Sequence, residues 1–314
     1  MHSALPGRTN PLFHQTSIPR GYRFLRKPLY IIVTVIVVIW MLSRLITGDN
    51  RPSDAPSTVM VMVLNRTAAS SEMISKIISN RNEYAHEHGY AVFMKDVSDY
   101  PIGPVPDGWA SLPAIRHAMT EYPHSDYFWY LDQNAIIMNP ALSLKDHITN
   151  PTRLSELMRR DVPVVPPDSV IKTYKHVPAE RINFILTQDH EGLQPGSMII
   201  RNSEWAKYLL DAWYDPIYRF YNFQKAEVHA LEHIVQWHPT ILTKLALIPQ
   251  KIMNSYPAPP PSSKDHAYQD GEFLVRLHRC EKKGRSCEKE FNKYWLQRKV
   301  AAHAGEQGYV ASAH

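Results

Sequence analysis

The chain has 314 residues, of which 44% are hydrophobic, and this size suits one sizeable α/β domain or two small ones. Its formal net charge of +5 arises at the N-terminus: six Lys and Arg residues and no Asp or Glu precede Asp49, and removing those six leaves −1. A nucleic-acid-binding protein carries positive charge on its folded domain, so this distribution argues against a nucleic-acid partner.

The first predicted element is a membrane anchor at residues 29–46. The run is apolar except for Thr34, Ser43 and Arg44, and about 18 residues of helix can cross roughly 27 Å of hydrocarbon. Positive charges precede it, which favours a cytosolic tail at 1–28 and a lumenal body. A cleaved signal peptide is the alternative, although its apolar region is usually shorter and ends in small residues.

The folded body is expected to follow a short polar stem at 47–57 and to cover 58–300, with a tail at 301–314. The predicted elements are a strand at 58–64, a helix at 70–88, a strand at 90–94, a helix at 112–122, strands at 126–131 and 196–201, and helices at 203–213 and 229–237. The first strand, helix and second strand form a β-α-β pattern that implies a parallel sheet, and the continued alternation of strands and helices places the body in the α/β class.

The third strand ends in Asp132-Gln133-Asn134. Open α/β sheets place ligand sites at the carboxyl ends of their strands, and alternation points Asp132 and Asn134 to the same side. Two oxygen ligands suit Mg²⁺ or Mn²⁺, which can bridge a diphosphate. Taken by itself, the same triplet is also typical of a simple turn.

Two cysteines, Cys280 and Cys287, lie near the end of the body. In an oxidising lumen they could close a short disulfide loop, and two free thiols are the alternative. A structural zinc site needs four ligands, so these two alone do not predict one.

The residues around the strand end, Trp129-Tyr-Leu-Asp132-Gln-Asn-Ala-Ile-Ile-Met-Asn-Pro140, resemble the Asp-x-Asp region of glycosyltransferase family 34. That family includes fungal galactosyl- and mannosyltransferases and plant xyloglucan xylosyltransferases. The likeness continues in order through Gly192–Asn202, Asp211–Trp213 and Ala230–Val235, and Phe273–Cys280 resembles the family's His-x-x-Gly-Cys block. It covers about 58–297 and is greatest to the α-1,6-mannosyltransferase subunits of the fungal Golgi mannan polymerase complex.

The resemblance implies a GT-A fold, which is a Rossmann-like α/β domain, and a retaining transfer of a hexose from a nucleotide sugar with Mn²⁺ as the usual metal. GDP-mannose is the expected donor and UDP-galactose the alternative. The implied acceptor is an N-glycan or mannan chain in the Golgi, where other glycosyltransferase subunits are the expected partners.

Carried over position by position, the resemblance makes Asp132 a contact of metal and nucleotide, Asn134 the second metal ligand and His278 the distal ligand. The residues expected to bind the donor are Leu64, Asn65, Arg116, Asp132, Gln133 and Gly196. Asn65 begins a glycosylation sequon, and we expect it to be unmodified because a glycan would block the site. The alternatives are a partly buried strand histidine for His278 and a solvated helix charge for Arg116.

Three residues are expected to act in catalysis. Glu227 matches an acidic position that the resemblance places under the reacting sugar, where a carboxylate supports oxocarbenium character. Gln194 is expected to line the sugar site, and Asp189 to hold donor or acceptor hydroxyls; an exposed loop acid is the alternative for Asp189.

Three positions depart from the family pattern. Asn134 replaces a second Asp, Gln194 stands where Asn is common, and Val228 replaces a polar residue. A neutral Asn beside a divalent cation weakens its binding. A second hypothesis is therefore a weakly active or non-catalytic subunit, and a third is a lectin-like module, against which the metal and diphosphate features count.

Overall fold

The computed structural model describes residues 30–41, 52–165, 169–257 and 266–300. The chain divides into two units, Met1–Pro52 and Ser53–His314. In the first unit the described residues form a helix at 30–41. No helix within the described ranges is both long and apolar enough to cross a membrane.

Several predicted segments fall wholly or partly outside these ranges. The anchor at 29–46 is described only in its central part, and the tails at 1–28 and 301–314 lie outside the described residues. The anchor and its orientation stay predictions.

The second unit contains eight labelled strands within its described residues: β1 (Thr58–Leu64), β2 (Ala91–Asp96), β3 (Tyr127–Leu131), β4 (Ala135–Ile137), β5 (Phe184–Asp189), β6 (Gly192–Arg201), β7 (Leu245–Ile248) and β8 (Leu274–Arg276). Its α-helices are α1 (Ser71–His88), α2 (Ser111–Glu121), α3 (Pro151–Leu157), α4 (Glu204–Trp213), α5 (Pro216–Arg219), α6 (Ala226–Trp237), α7 (Pro239–Leu242), α8 (Gln250–Met253) and α9 (Cys287–Gln297).

The first β-α-β unit forms as the local pattern predicts. All seven residues of β1 are buried, as expected for a strand covered on both faces. Ser70 begins the following helix, because its side chain accepts a hydrogen bond from the Met73 N–H at 3.2 Å. Gly89 ends that helix with a left-handed φ of 64°, a conformation that glycine adopts without a Cβ penalty.

The main sheet has six strands in the order β2-β1-β3-β6-β5-β7. Strand β1 is parallel to β2 and β3, whereas β6 is antiparallel to β3 and to β5. The parallel pairing predicted for the first two strands is confirmed, but β6 runs antiparallel to its neighbours. The reason is that only His190 and Glu191 separate β5 from β6, and a two-residue connection joins antiparallel neighbours.

The antiparallel course of β6 shapes the site. Because β6 runs against β3, its first half lies beside the carboxyl end of β3, and Leu131 pairs with Ser197. A second sheet of two strands, β4 and β8, pairs Ala135 with Arg276. Segments distant in sequence thus meet where β3 ends.

Cys280 and Cys287 are joined in a disulfide, as predicted. The bond connects the segment after β8 to the first residue of α9. Phe291 of that helix is fully buried beside Cys280 in one hydrophobic cluster. The disulfide therefore holds the end of the β8 segment against the core.

Candidate active site

A cavity of about 730 Å³ opens at the carboxyl ends of β1 and β3. It also touches the first half of β6, the start of α6 and the segment after β8. Of the residues singled out from the sequence, the structure brings these to its walls: Asn65, Asp132, Gln133, Asn134, Gln194, Gly196, Glu227 and His278. This volume suits a small ligand that is mostly enclosed.

The loop after β3 fixes Asp132 at the cavity wall. The Asp132 N–H donates to the carbonyl of Gly196 at 2.8 Å, and its Oδ1 accepts from the Asn134 N–H at 2.7 Å. Beneath the loop, the buried Arg81 donates to the carbonyls of Asp132 at 3.1 Å and Ala135 at 2.7 Å. Burial lowers the pKa of Arg81 to about 9, against the raising effect of Asp132. Arg81 therefore stays cationic at neutral pH.

The turn after β1 forms another wall. Gln133 accepts the Asn65 N–H through Oε1 at 2.8 Å, which ties the two strand ends together. The Asn65 side chain donates to Asp107 at 2.5 Å and accepts from Thr67. Leu64, in contrast, is fully buried in the hydrophobic core and does not line the cavity.

Glu227 enters the cavity from the first turn of α6, where the indole of Trp213 donates to its carbonyl at 2.8 Å. Its carboxylate lies against Gly108. Burial raises the pKa of Glu227 to about 7; Asp132 raises it further, and Arg276 opposes the rise. The preceding Ala226 has a left-handed φ of 46°, a strain of the kind that gathers at functional sites.

Arg276 and its contacts form a further part of the cavity wall, where the guanidinium packs against β6. Its Nη2 donates to Gln194 Oε1 at 3.0 Å and lies 2.6 Å from His278 Nδ1. A guanidinium has no acceptor, so His278 Nδ1 accepts and the imidazole proton resides on Nε2. Burial, and then the charge of Arg276, lower the pKa of His278 to about 2. The imidazole is therefore neutral.

The residues predicted to hold Mn²⁺ do not form a matching ligand set in this arrangement. The lone pair of His278 Nδ1 is directed to Arg276, and Nε2 faces Glu191 Oε2 at 3.6 Å. Asn134 contributes no charge. Within the described part of the chain, the one close group of three metal-binding residue types is Cys280, Glu281 and Cys287, whose thiols are joined in the disulfide.

Besides Leu64, two predicted site residues, Asp189 and Arg116, lie away from the cavity. Asp189 is 3% exposed; its Oδ1 accepts the N–H groups of Glu191 and Gly192, and its Oδ2 accepts the Tyr256 hydroxyl at 2.8 Å. It shapes the turn between β5 and β6, so neither the predicted role with sugar hydroxyls nor the exposed-acid alternative matches this placement.

Arg116 also lies away from the cavity. It forms an exposed ion pair with Asp211 at 3.3 Å, on the helices α2 and α4. This placement matches the alternative of a solvated helix charge rather than a diphosphate contact.

Sequence reasoning missed two buried arginines, Arg81 and Arg276. Nothing in the local pattern of α1 marks Arg81, which reads as an ordinary helix charge. Arg276 carried a signal: in the His-x-x-Gly-Cys block the His stands four residues before the Cys, and four residues before Cys280 is Arg276, not His278. In this chain Arg276 therefore occupies the position of the motif's His, and His278 lies two residues after it.

The chain is similar to known proteins in sequence and in fold. Residues 54–288 match the profile of the galactosyl transferase GMA12/MNN10 family. An uncharacterized alpha-1,2-galactosyltransferase of Schizosaccharomyces pombe is 37% identical over 259 residues, which is 80% of this chain and 78% of that protein. A probable alpha-1,6-mannosyltransferase of Saccharomyces cerevisiae, MNN10, is 33% identical over 229 residues, which is 69% of this chain and 58% of that one.

Among solved structures, a glycosyltransferase involved in the glycosylation of the major capsid of PBCV-1 has a TM-score of 0.53. The match covers 77% of this chain and 100% of that one at 12% identity, a likeness of fold alone. The match to the family profile and the sequence identity to the relatives assign the chain to a family, which the likeness of fold alone does not do. The chain belongs to the galactosyl transferase GMA12/MNN10 family and is a glycosyltransferase.

Proposed function

We propose that the chain is a retaining hexosyltransferase with a GT-A fold that takes its sugar from a nucleotide donor. The observation that carries this proposal is the carboxylate of Glu227, which faces the cavity near the strand-end carboxylate of Asp132. Transfer of a glycosyl group develops positive charge on the sugar, and a fixed carboxylate stabilises that charge. Glu227 is the group on the cavity wall best suited to this role.

GDP-mannose and UDP-galactose are the two candidate donors. The resemblance to mannan polymerase subunits favours GDP-mannose, an α-1,6 linkage and N-glycan or mannan acceptors. The name of the Schizosaccharomyces pombe relative supports galactose. We keep GDP-mannose as the first candidate, and the donor is the first quantity to measure.

The setting that we propose is the Golgi lumen. An N-terminal anchor with a positively charged cytosolic side would place the catalytic unit there. The disulfide between Cys280 and Cys287 supports an oxidising compartment. Other glycosyltransferase subunits of a Golgi complex are the proposed partners.

A second candidate function is a supporting subunit with little turnover of its own. It is favoured by the incomplete ligand set, in which Asn134 is neutral and His278 Nδ1 accepts from Arg276. In that case Mn²⁺, which stays a prediction from the resemblance, would not be needed at these residues.

The test is a transfer assay with the purified full-length chain in detergent. GDP-mannose and UDP-galactose are each supplied with a high-mannose N-glycan, with and without Mn²⁺, and the anomeric configuration of the product is read by NMR. We expect transfer with retention from one donor. Asp132→Asn and Glu227→Gln should abolish it, whereas Asp211→Asn, an exposed carboxylate outside the cavity, should not.

Three outcomes would contradict different parts of this proposal. Transfer that survives both cavity substitutions would contradict the proposed site. A folded chain that binds a donor but transfers nothing would favour the supporting subunit. Inversion at the anomeric carbon would refute the retaining reaction.

A further inference from the structure

Arg276 is a permanent cation buried in the cavity wall. The residue is 6% exposed and lines the cavity. Its Nη2 is hydrogen-bonded, but its Nε and Nη1 are buried without any hydrogen-bond partner. A guanidinium has five N–H donors, one on Nε and two on each Nη. The donors of Nε and Nη1 are therefore unpaired, which is unfavourable unless a ligand provides acceptors.

No ion pair compensates the charge of Arg276 within the described ranges. Arg279, which lines the same cavity, forms an ion pair with the carboxylate of Glu191. Among the described residues such a pair is missing at Arg276: its hydrogen-bond partners are the amide oxygen of Gln194 and the accepting Nδ1 of His278, and Glu227 acts on it only through a longer-range electrostatic interaction. A buried cation without a directly paired counter-ion favours the binding of an anion in the cavity.

The position of Arg276 is specified by the chain around it. A Cβ at Gly196 would lie 2.1 Å from Nη1, so only glycine lets the guanidinium pack there. Gln194, on the same strand, accepts from Nη2 at 3.0 Å. Gly196 also accepts the N–H of Asp132 through its carbonyl, which places the guanidinium and the strand-end carboxylate around one short segment of β6.

A divalent cation and the guanidinium of Arg276 would compete for the imidazole of His278. A metal bound to either ring nitrogen of His278 would break the hydrogen bond from Arg276, because Nδ1 would then hold the metal or carry the imidazole proton, and it would bring two positive charges together. Like charges at such short distance in a partly buried site repel strongly. The guanidinium thus excludes the predicted ligand arrangement and supplies a positive charge itself.

We propose that Arg276, in place of a divalent cation, supplies the positive charge that binds the diphosphate of the sugar nucleotide. This inference rests on the proposed function, because it concerns the donor of that reaction. The planar fork of Arg can donate two hydrogen bonds to phosphate oxygens and remains charged throughout the physiological pH range. Donor binding should then persist in the presence of a chelator.

The experiment is calorimetric titration of the full-length chain in detergent with GDP and with UDP, in EDTA and in Mn²⁺. The variants are Arg276→Gln, which removes the charge, and Arg276→Lys, which keeps the charge without the fork. Arg116→Gln is the matched control, because Arg116 is paired with Asp211 outside the cavity. Thermal melting of each variant shows whether it is folded.

We expect one nucleotide to bind equally well in EDTA and in Mn²⁺. Arg276→Gln should weaken binding about tenfold to a hundredfold, which is the effect of losing charged hydrogen bonds. Arg276→Lys should recover part of the loss, and Arg116→Gln should bind like the wild type. The comparison of EDTA with Mn²⁺ uses the wild type, so it remains decisive even if a variant does not fold.

Two results would overturn the role of Arg276 and leave the proposed function standing. One is binding that requires Mn²⁺, and the other is metal-free binding that a folded Arg276→Gln variant retains in full. If neither nucleotide binds in any condition, the proposed function fails, and this inference fails with it.

Discussion

Replacing Glu227 with Gln should raise stability at alkaline pH and leave it unchanged at acidic pH. The pKa of this carboxyl is about 7 in the folded chain against an ordinary 4.5, mainly because of burial. Between these values the folded state binds more protons than the unfolded state, so the free energy of unfolding falls as pH rises from 4.5 to 7. The full difference corresponds to about 3 kcal/mol.

Glu227 faces the cavity and keeps some contact with solvent, so we expect about 2 kcal/mol of that effect. At pH 8 Glu227→Gln should melt about 4–8 °C above the wild type, and at about pH 4, below both pKa values, the two should melt together. The assay is thermal unfolding at both pH values, followed by circular dichroism. Glu121→Gln, an exposed glutamate on α2, is the control and should match the wild type at both.

Equal melting temperatures for Glu227→Gln and the wild type at pH 8 would refute the raised pKa. The same substitution should abolish transfer, because the proposed role requires an ionised carboxylate. For that reason wild-type activity should rise with pH through about 7. A rate that is constant from pH 6 to pH 8 would show that Glu227 does not act in its ionised form.

Three further substitutions test the chain around the cavity. Gly192→Ala should lower stability by about 3 kcal/mol in denaturant unfolding, because its φ is 135° and a Cβ would lie 1.8 Å from Glu232; an unchanged midpoint would contradict this packing. Ala226→Gly should raise stability by about 1 kcal/mol by relieving its left-handed φ, and a loss of stability would show that no strain is present. Removing the disulfide with Cys280→Ser and Cys287→Ser should cost about 2 kcal/mol, whereas melting that is insensitive to the double change would exclude a stabilising bond.

Much of the fold was predictable because its signals are local. The continuous apolar run of β1, the serine that begins α1 and the glycine that ends it act over a few residues each. The placement of Asp132 at a strand end and of Glu227 in the cavity also followed from the sequence and its family resemblance. Predicting these two placements did not require knowing which distant segments pack together.

The sheet direction was not predictable in the same way. The β-α-β pattern predicted the parallel pairing of β1 and β2, but it did not indicate that β5 and β6 form a hairpin across His190 and Glu191. The apolar run of β5 is short and its turn has no glycine or proline between the strands, so the hairpin signal was weak. This reversal brings Gln194 and Gly196 to the end of β3.

The sequence by itself determined the family, because the family's motifs occur along the chain in the expected order. It also determined the strand-end carboxylate and the cysteine pair, because each depends on residues that are close together in the chain. Only the tertiary structure decided which charges meet. Gln194 and Arg276 are hydrogen-bonded although 82 positions separate them, and Arg116 lies outside the cavity, where it pairs with Asp211 on another helix. Such pairings depend on strand direction and packing across the whole sheet, and no local pattern of side chains encodes them.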